Sequence, residues 1–323
     1  MRKAILACLL AAVSGQTAQA QEFESPRTSS GRPYLQGVWT NKTLTPLSRP
    51  SEFSQIKVLS AEQAGRLEDG HQDYLEAEFA ASDPDREAGA GSQTGDDGDT
   101  NDGYNEFWKD LGTEIQMING EFRSSIIIEP ANGQIPYLGD ASAPEPSDGP
   151  EGRPLAERCL LAFGSHSGPP MLPVMYNNNY QLVQTDDYVM ILAEMSYDAR
   201  IIRINDEQHM QGMEKWMGDS RGHWEGDTLV VVTQEFNPQQ NFRGASEQLT
   251  VTEQFSRYSD SQILYRFTLE DPTVFSEPFT GEMMMNARPA AEPMYEYACH
   301  EGNYALPGIL AGARRLEQQN SEE

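Results

Sequence analysis

From Tyr176 to Cys299, apolar and polar residues alternate with a period of two, in short runs separated by turn formers. Such alternation turns every second side chain towards a core. The runs 180–184, 188–195, 198–204, 222–225, 228–233, 248–257, 262–270, 279–285 and 294–299 are therefore predicted strands. Thr185-Asp186-Asp187, Glu225-Gly226-Asp227 and Tyr258-Ser259-Asp260 supply tight reversals between them. Strands this short and closely joined predict a mainly β fold, an antiparallel meander closing into a barrel or folding as a two-sheet sandwich.

Ahead of Tyr176 the pattern is sparser, with long irregular segments and few helices. A first strand is expected over 34–40, with Pro46 and Pro50 marking an irregular exit. Ser60 followed by Gln63 is a helix start, and the helix it opens is expected to run to about Phe79. Residues 82–104 switch to Asp, Gly, Ser and Thr without apolar periodicity, which reads as a solvated, disordered insertion. Within it Asp97, Asp99 and Asn101 have calcium-loop spacing, but Gly103 comes one place late and Trp108 stands where the loop's glutamate belongs. A strand over 124–129, a Pro- and Gly-rich loop over 140–154, a short helix through Glu157-Arg158-Cys159 and a terminal helix over 309–318 complete the expectation. Residues 21–323 are read as one β-rich domain.

The first twenty residues change where the chain is expected to work. Met1-Arg2-Lys3, an apolar run and Ala18-Gln19-Ala20 have the order of a secretory signal peptide. No later stretch has the length of a membrane span. The expectation is a secreted protein, periplasmic in a Gram-negative cell. A formal charge of −27 repels phosphate backbones and anionic lipid, so nucleic acid and membranes are not expected partners. Removal of Cys8 with the signal leaves Cys159 and Cys299, one disulfide in an oxidising compartment or two free thiols.

Strand periodicity also makes claims about charged groups. Glu253 and Arg257 share a face with Leu249, Val251 and Phe255, Glu194 aligns with Met190 and Leu192, and Asp198 and Arg200 align with Ile202 and Ile204. Charges turned towards an apolar side must pair, reach a cavity mouth or meet a ligand, because an isolated buried charge costs several kcal/mol. Both a structural ion-pair plug and a ligand site satisfy this.

Of the five histidines none stands at metal-ligand spacing from another. His166 occupies the serine position of Gly164-Ser-His-Ser-Gly168, which removes the serine-hydrolase elbow. His300 beside Glu301 could serve as acid, base or haem ligand.

Taken together, Gly37-Val-Trp39, Glu157-Arg-Cys159, Tyr176-Asn-Asn-Asn-Tyr-Gln181, Asp198-Ala-Arg200, Gly218-Asp-Ser-Arg-Gly222, Trp224-Glu-Gly-Asp-Thr228, Ser246-Glu247, Glu270-Asp-Pro272 and Tyr295-Glu-Tyr-Ala-Cys-His-Glu-Gly-Asn-Tyr304 resemble a widespread family of secreted bacterial proteins. The resemblance covers nearly the whole mature chain outside 82–104 and implies no particular reaction. Tyr197 departs from it, a histidine being expected there. The Gly-x-Trp start and the Trp224–Val232 hairpin also resemble lipocalin-type barrels, which enclose a small apolar ligand.

The leading expectation is a barrel that handles a small apolar or aromatic molecule by acid/base chemistry of the isomerase, hydratase or lyase kind. Glu253, Asp198 and His300 are the candidate catalytic groups, with Arg200, Arg221, Arg257, Trp216, Glu194 and Asp219 as candidate binding residues. The alternatives are a non-catalytic ligand binder, a haem-binding barrel with oxygenase activity through His300, and a structural or assembly role.

Overall fold

The computed structural model describes residues 23–78, 109–139, 149–162, 168–206, 208–240, 242–289, 292 and 294–321. Residues 1–22, where a signal peptide is expected, the 82–104 stretch and His166 lie outside the described residues. In chain order the strands are β1 (Gly37–Thr40), β2 (Val58–Leu59), β3 (Met117–Ile118), β4 (Glu121–Arg123), β5 (Ile127–Glu129), β6 (Asn179–Gln184), β7 (Tyr188–Ala193), β8 (Asp198–Ile204), β9 (Asp219–Glu225), β10 (Thr228–Gln234), β11 (Thr250–Ser259), β12 (Gln262–Glu270) and β13 (Phe279–Ala287). The α-helices are α1 (Ala61–Glu78), α2 (Cys299–Gly302) and α3 (Ala305–Ser321).

Strand β1 and strands β6 to β13 close into a nine-stranded barrel, so the barrel and not the sandwich is realised. Closure is through β1, which pairs with β6 on one side and with the end of β13 on the other, Trp39 opposite Ala287. Nearer the start of β13, β5 takes the place of β1 as its neighbour. β2, β4 and β3 make a separate three-stranded sheet.

The meander is broken once: β8 and β9 run parallel, Ile202 beside Ser220. Parallel neighbours require the chain to return to its starting end, so residues 205–218 form a crossover instead of a hairpin. The next reversal is the tight one expected, with Glu225 opposite Thr228 and Gly226 at φ 59°.

Helix α1 starts as its sequence requires. Ser60 Oγ accepts the Gln63 N–H at 3.1 Å, and the Gln63 side chain accepts the Ser60 N–H at 2.9 Å. Two expected elements are absent. Residues 157–159 lie in a run of turns, and 294–298 carry no strand pairing and lead into α2.

The barrel is filled. Trp39, Tyr180, Phe255, Tyr265, Phe267, Phe279, Met283 and Met285 interlock with the aliphatic residues of β6, β7, β8 and β10, all at 2 % exposure or less. Gly281 is part of this packing. A Cβ there would stand 2.3 Å from the ring of Phe267, its cross-strand partner, so only glycine lets the ring lie flat on β13. One end is stoppered by residues 23–36, where Leu35 is fully buried and donates its N–H to Gln184, and Arg27 forks onto Asp227 at 2.6 and 2.9 Å.

Candidate functional site

Three polar centres emerge, and they divide the charged residues singled out in the sequence differently from strand periodicity alone.

The first lies inside the barrel. Arg200 of β8 forks onto Glu253 of β11 at 2.5 and 3.0 Å, and the Tyr265 hydroxyl donates to the same carboxylate at 2.8 Å. The Met171 N–H in turn donates to that hydroxyl at 3.0 Å. Glu253 is 0 % exposed and Arg200 4 %. Burial pulls the Arg200 pKa down, but the Glu253 charge and its hydrogen bonds outweigh this and leave it raised. Burial, then the Glu253 charge, pushes the Tyr265 phenol well above its ordinary value. Cavities of about 770, 400, 390, 320 and 250 Å³ indent the protein, and none is lined by Arg200, Glu253 or Tyr265. The inward register of this pair is as expected. Its described neighbours are buried core side chains, and Glu253 and Arg200 form a buried ion pair among them.

The second centre is Asp219, for which the sequence left the facing open. On β9 it is Ser220, Gly222 and Trp224 that turn inward, with Ser220 bonded to Thr233 and Trp224 against the core. Asp219 and Arg221 therefore face outward, under the crossover. Asp219 is fully buried and accepts from Arg203 at 2.8 and 2.9 Å, from Lys215 at 2.8 Å and from the Met210 N–H at 3.1 Å, with His209 Nδ1 at 3.2 Å. This one carboxylate holds the loop that the parallel β8–β9 pair makes necessary. Arg221 donates to the Asp206 carbonyl in the same loop, and Trp216 sits half-buried in its last turn.

The hub has a signed pH response. Burial and then Arg221 hold His209 below its ordinary 6.5. Burial pushes Asp219 upward, but the hydrogen bonds from Arg203 and Lys215 overcome it and hold the group far below 3.8. A histidine depressed in the folded state stabilises above its unfolded pKa, and that stability is lost as pH falls through 6.5. The Asp219 contribution persists until pH falls below 3.8. We expect protection factors of the amides in 205–218, taken relative to the intrinsic exchange rate at each pH, to fall in two steps on acidification, with His209→Gln removing only the first. Identical profiles for the two proteins would rule out His209 as the origin of that step.

The third centre is a cleft of about 770 Å³ on the outer wall of the barrel. Because Tyr180 and Leu182 of β6 and Ile191 and Ala193 of β7 enter the core, their neighbours Asn179 and Glu194 face outward. Glu194 was expected on the inner, apolar side; it is buried at 2 % exposure, but beneath the C-terminal segment instead of inside the barrel. The Asn179 side chain donates to Glu194 Oε2, and the Tyr295 N–H donates to Oε1 at 3.0 Å. Met195, Ala162 and Val174 form a small buried cluster against which two residues of the lining, Tyr176 and Tyr297, are packed. Arg288 also lines the cleft and reaches Glu292 at 3.1 Å.

Each part of Asn177-Asn178-Asn179 has a task in building this wall. Asn177 adopts φ 56°, a left-handed conformation asparagine tolerates better than most residues. Asn178 is fully buried, donating to the carbonyls of Asp110 and Val174 and accepting the Val174 N–H. Asn179 orients Glu194. The roof is residues 295–303, fastened by the Cys159–Cys299 disulfide and by Asn303, which donates to the Glu157 carbonyl at 2.7 Å. Directly after Glu194, Ser196 and Tyr197 both take positive φ, 67° and 51°, a costly pair of left-handed residues of the kind that collects at functional sites.

The remaining candidates do not join these centres. Asp198 keeps its inward register but sits partly exposed at the first position of β8, its carboxylate accepting the Ala199 N–H, with burial raising its pKa. Arg257 stands at the stoppered end, 4.7 Å over the Trp39 ring and donating to the Asp260 carbonyl. His300 is exposed on α2 and is not part of the cleft lining. Of the expected catalytic and binding residues, only Glu194 lines the cleft. Tyr176, Asn179, Arg288, Tyr295 and Tyr297 were not singled out as site residues, although the stretches 176–181 and 295–304 that hold four of them were conspicuous. No family model matches the chain, and no curated protein is similar to it.

Proposed function

We propose that the protein binds a small organic cation in the outer-wall cleft, with Glu194 as its counter-ion and Tyr176, Tyr295 and Tyr297 as its aromatic walls. The observation that carries this reading is the environment of Glu194. Its carboxylate is buried, yet its partners are an amide and a backbone N–H, with no cation among the described residues. Buried carboxylates are ordinarily paired with a cation. Two other acids of the lining have theirs, Asp110 with Lys42 and Glu157 with Arg153. Tyrosine faces attract ammonium groups, and a carboxylate among them adds the charge.

Acid/base turnover is the second reading, and it moves from Glu253 to Glu194. Glu253 is buried among core side chains, whereas Glu194 is a buried acid that lines a cavity. Delivery to an oxidising compartment, as the resemblance to secreted proteins implies, belongs to the proposal and is supported by the formed disulfide. No described helix is long and apolar enough to cross a membrane.

Calorimetric titration with benzyltrimethylammonium, against its uncharged isostere 2,2-dimethylpropylbenzene (neopentylbenzene), tests the binding reading. The cation should bind saturably and the isostere at least tenfold more weakly. Glu194→Gln, which keeps the shape and one acceptor, should weaken cation binding by roughly ten- to a hundredfold, the scale of a lost buried charge pair. Equal affinity of the two ligands, or of the two proteins for the cation, would remove Glu194 as a counter-ion.

A further inference from the structure

A second cavity, of about 320 Å³, opens at the barrel end opposite the N-terminal stopper. Its walls come from the segment after β1 (Leu44, Leu47), from Leu111, from Ile126 ahead of β5 and from Leu172 ahead of β6. Ile126 and Leu172 belong to the barrel core, and Leu47 packs on it, so the cavity is the outward continuation of that core. Arg243 is the one charged residue in its lining.

Arg243 is placed there by the backbone. It lies in the turn between β10 and β11 with φ 52° and ψ 33°, a left-handed conformation costly for an arginine. Buried Phe242 and Ala245 on either side pin the turn to the core. Among the described residues Arg243 makes no ion pair, and its Nε is buried without a hydrogen-bond partner. Other described arginines also lack an ion pair, Arg49, Arg221 and Arg257 among them; what sets Arg243 apart is that its guanidinium joins an otherwise uncharged, largely apolar cavity wall. The two hydroxyls of the wall are already engaged, Thr43 donating to the Glu114 carbonyl and Thr45 accepting the Gln116 N–H. Arg243 is thus the charged donor of the lining, and the Thr45 hydroxyl, which accepts from Gln116, has its own proton as a further donor.

We propose that this cavity is a second ligand site, distinct from the outer-wall cleft, which takes a small monocarboxylate with a compact apolar body, and that Arg243 holds the carboxylate. A guanidinium on an apolar wall suits such a ligand because the carboxylate gains charge-assisted hydrogen bonds while the body is removed from water. The volume suits a single aromatic or short aliphatic acid, at the small end of ligand cavities.

Benzoate, with benzyl alcohol as the uncharged control, is the probe, read by calorimetry and by chemical-shift changes at Leu111 and Leu172. Benzoate should bind saturably, and benzyl alcohol at least tenfold more weakly. Arg243→Gln should weaken benzoate by roughly ten- to a hundredfold, the scale of one charge-assisted contact, and leave benzyltrimethylammonium binding unchanged. Arg243→Lys should retain part of the affinity, and Leu111→Phe, which fills the cavity without touching the charge, should abolish it. These two variants decide the matter if Arg243→Gln does not fold. Equal binding of acid and alcohol, full affinity in folded Arg243→Gln, or benzoate binding unaffected by Leu111→Phe would each overturn the proposal.

Discussion

Glu253→Gln should lower the thermal unfolding midpoint by about 10 °C, corresponding to roughly 3–5 kcal/mol for a buried pair broken on one side. The reason is asymmetric. The pair is fully desolvated, so removing the carboxylate leaves the Arg200 guanidinium inside the barrel with no counter-charge and no water. Arg200→Met should cost a similar amount, because Glu253 would then keep only the Tyr265 hydroxyl. The double variant Arg200→Met, Glu253→Leu should recover most of the loss, since apolar groups of similar size suit a closed core. Ligand affinity at the outer-wall cleft should change less than about twofold in any of these proteins that remains folded, as expected for sites without shared partners. A Glu253→Gln protein of wild-type stability with impaired turnover would reverse this assignment and return Glu253 to a catalytic role.

Loss of the disulfide should have the second large effect, felt by the barrel and by the C-terminal segment. Cys159 and Cys299 are 140 residues apart in sequence. Closing a loop of that length, which contains β6 to β13, is worth about 5 kcal/mol in the chain-entropy model, and engineered cases deliver less. The segment it fastens has little else to hold it. α3 buries no residue, and the roof rests on a few contacts, chiefly Tyr297 on the Met195 cluster, Tyr295 to Glu194 and Asn303 to Glu157. Cys159→Ser with Cys299→Ser should therefore open 294–321 to limited proteolysis, lower cation affinity by at least tenfold and lower the barrel's unfolding midpoint as well. The expected fragment ends near residue 290. Unchanged proteolysis after reduction would show that the roof is held by its side-chain contacts and that the disulfide is incidental.

The strands were legible where they carry their own alternation, as β11 and β12 do, whereas β13 is buried on both faces over its first seven residues. Val251, Glu253 and Phe255 enter the core together, and periodicity places Glu253 there whatever its charge. Periodicity does not say what lies opposite. Whether an inward carboxylate meets a guanidinium or a ligand depends on which strand sits across the barrel, and β8 brings Arg200 there from 53 residues away. The outward placement of Asp219 was hidden for a related reason. The parallel β8–β9 pair inserts a crossover whose polar residues read locally as an active-site loop, and only the register of Ile202 against Ser220 fixes which face of β9 it covers.

The acidic balance and the alternation of a mainly β fold follow from the amino-acid sequence alone, because each depends on composition or on neighbours within a few residues. So do the Ser60 helix cap and the Gly226 turn. The pairing of Cys159 with Cys299, the buried Arg200–Glu253 pair, the exposure of His300 and the cleft that gathers Tyr176, Asn179, Glu194 and Tyr297 belong to the tertiary structure. They join residues distant in sequence, and for charged groups burial and partner together decide the chemistry. A glutamate on an apolar stripe is half of a structural ion pair when an arginine faces it among core side chains, and a candidate binding group when it lines a cavity among tyrosines.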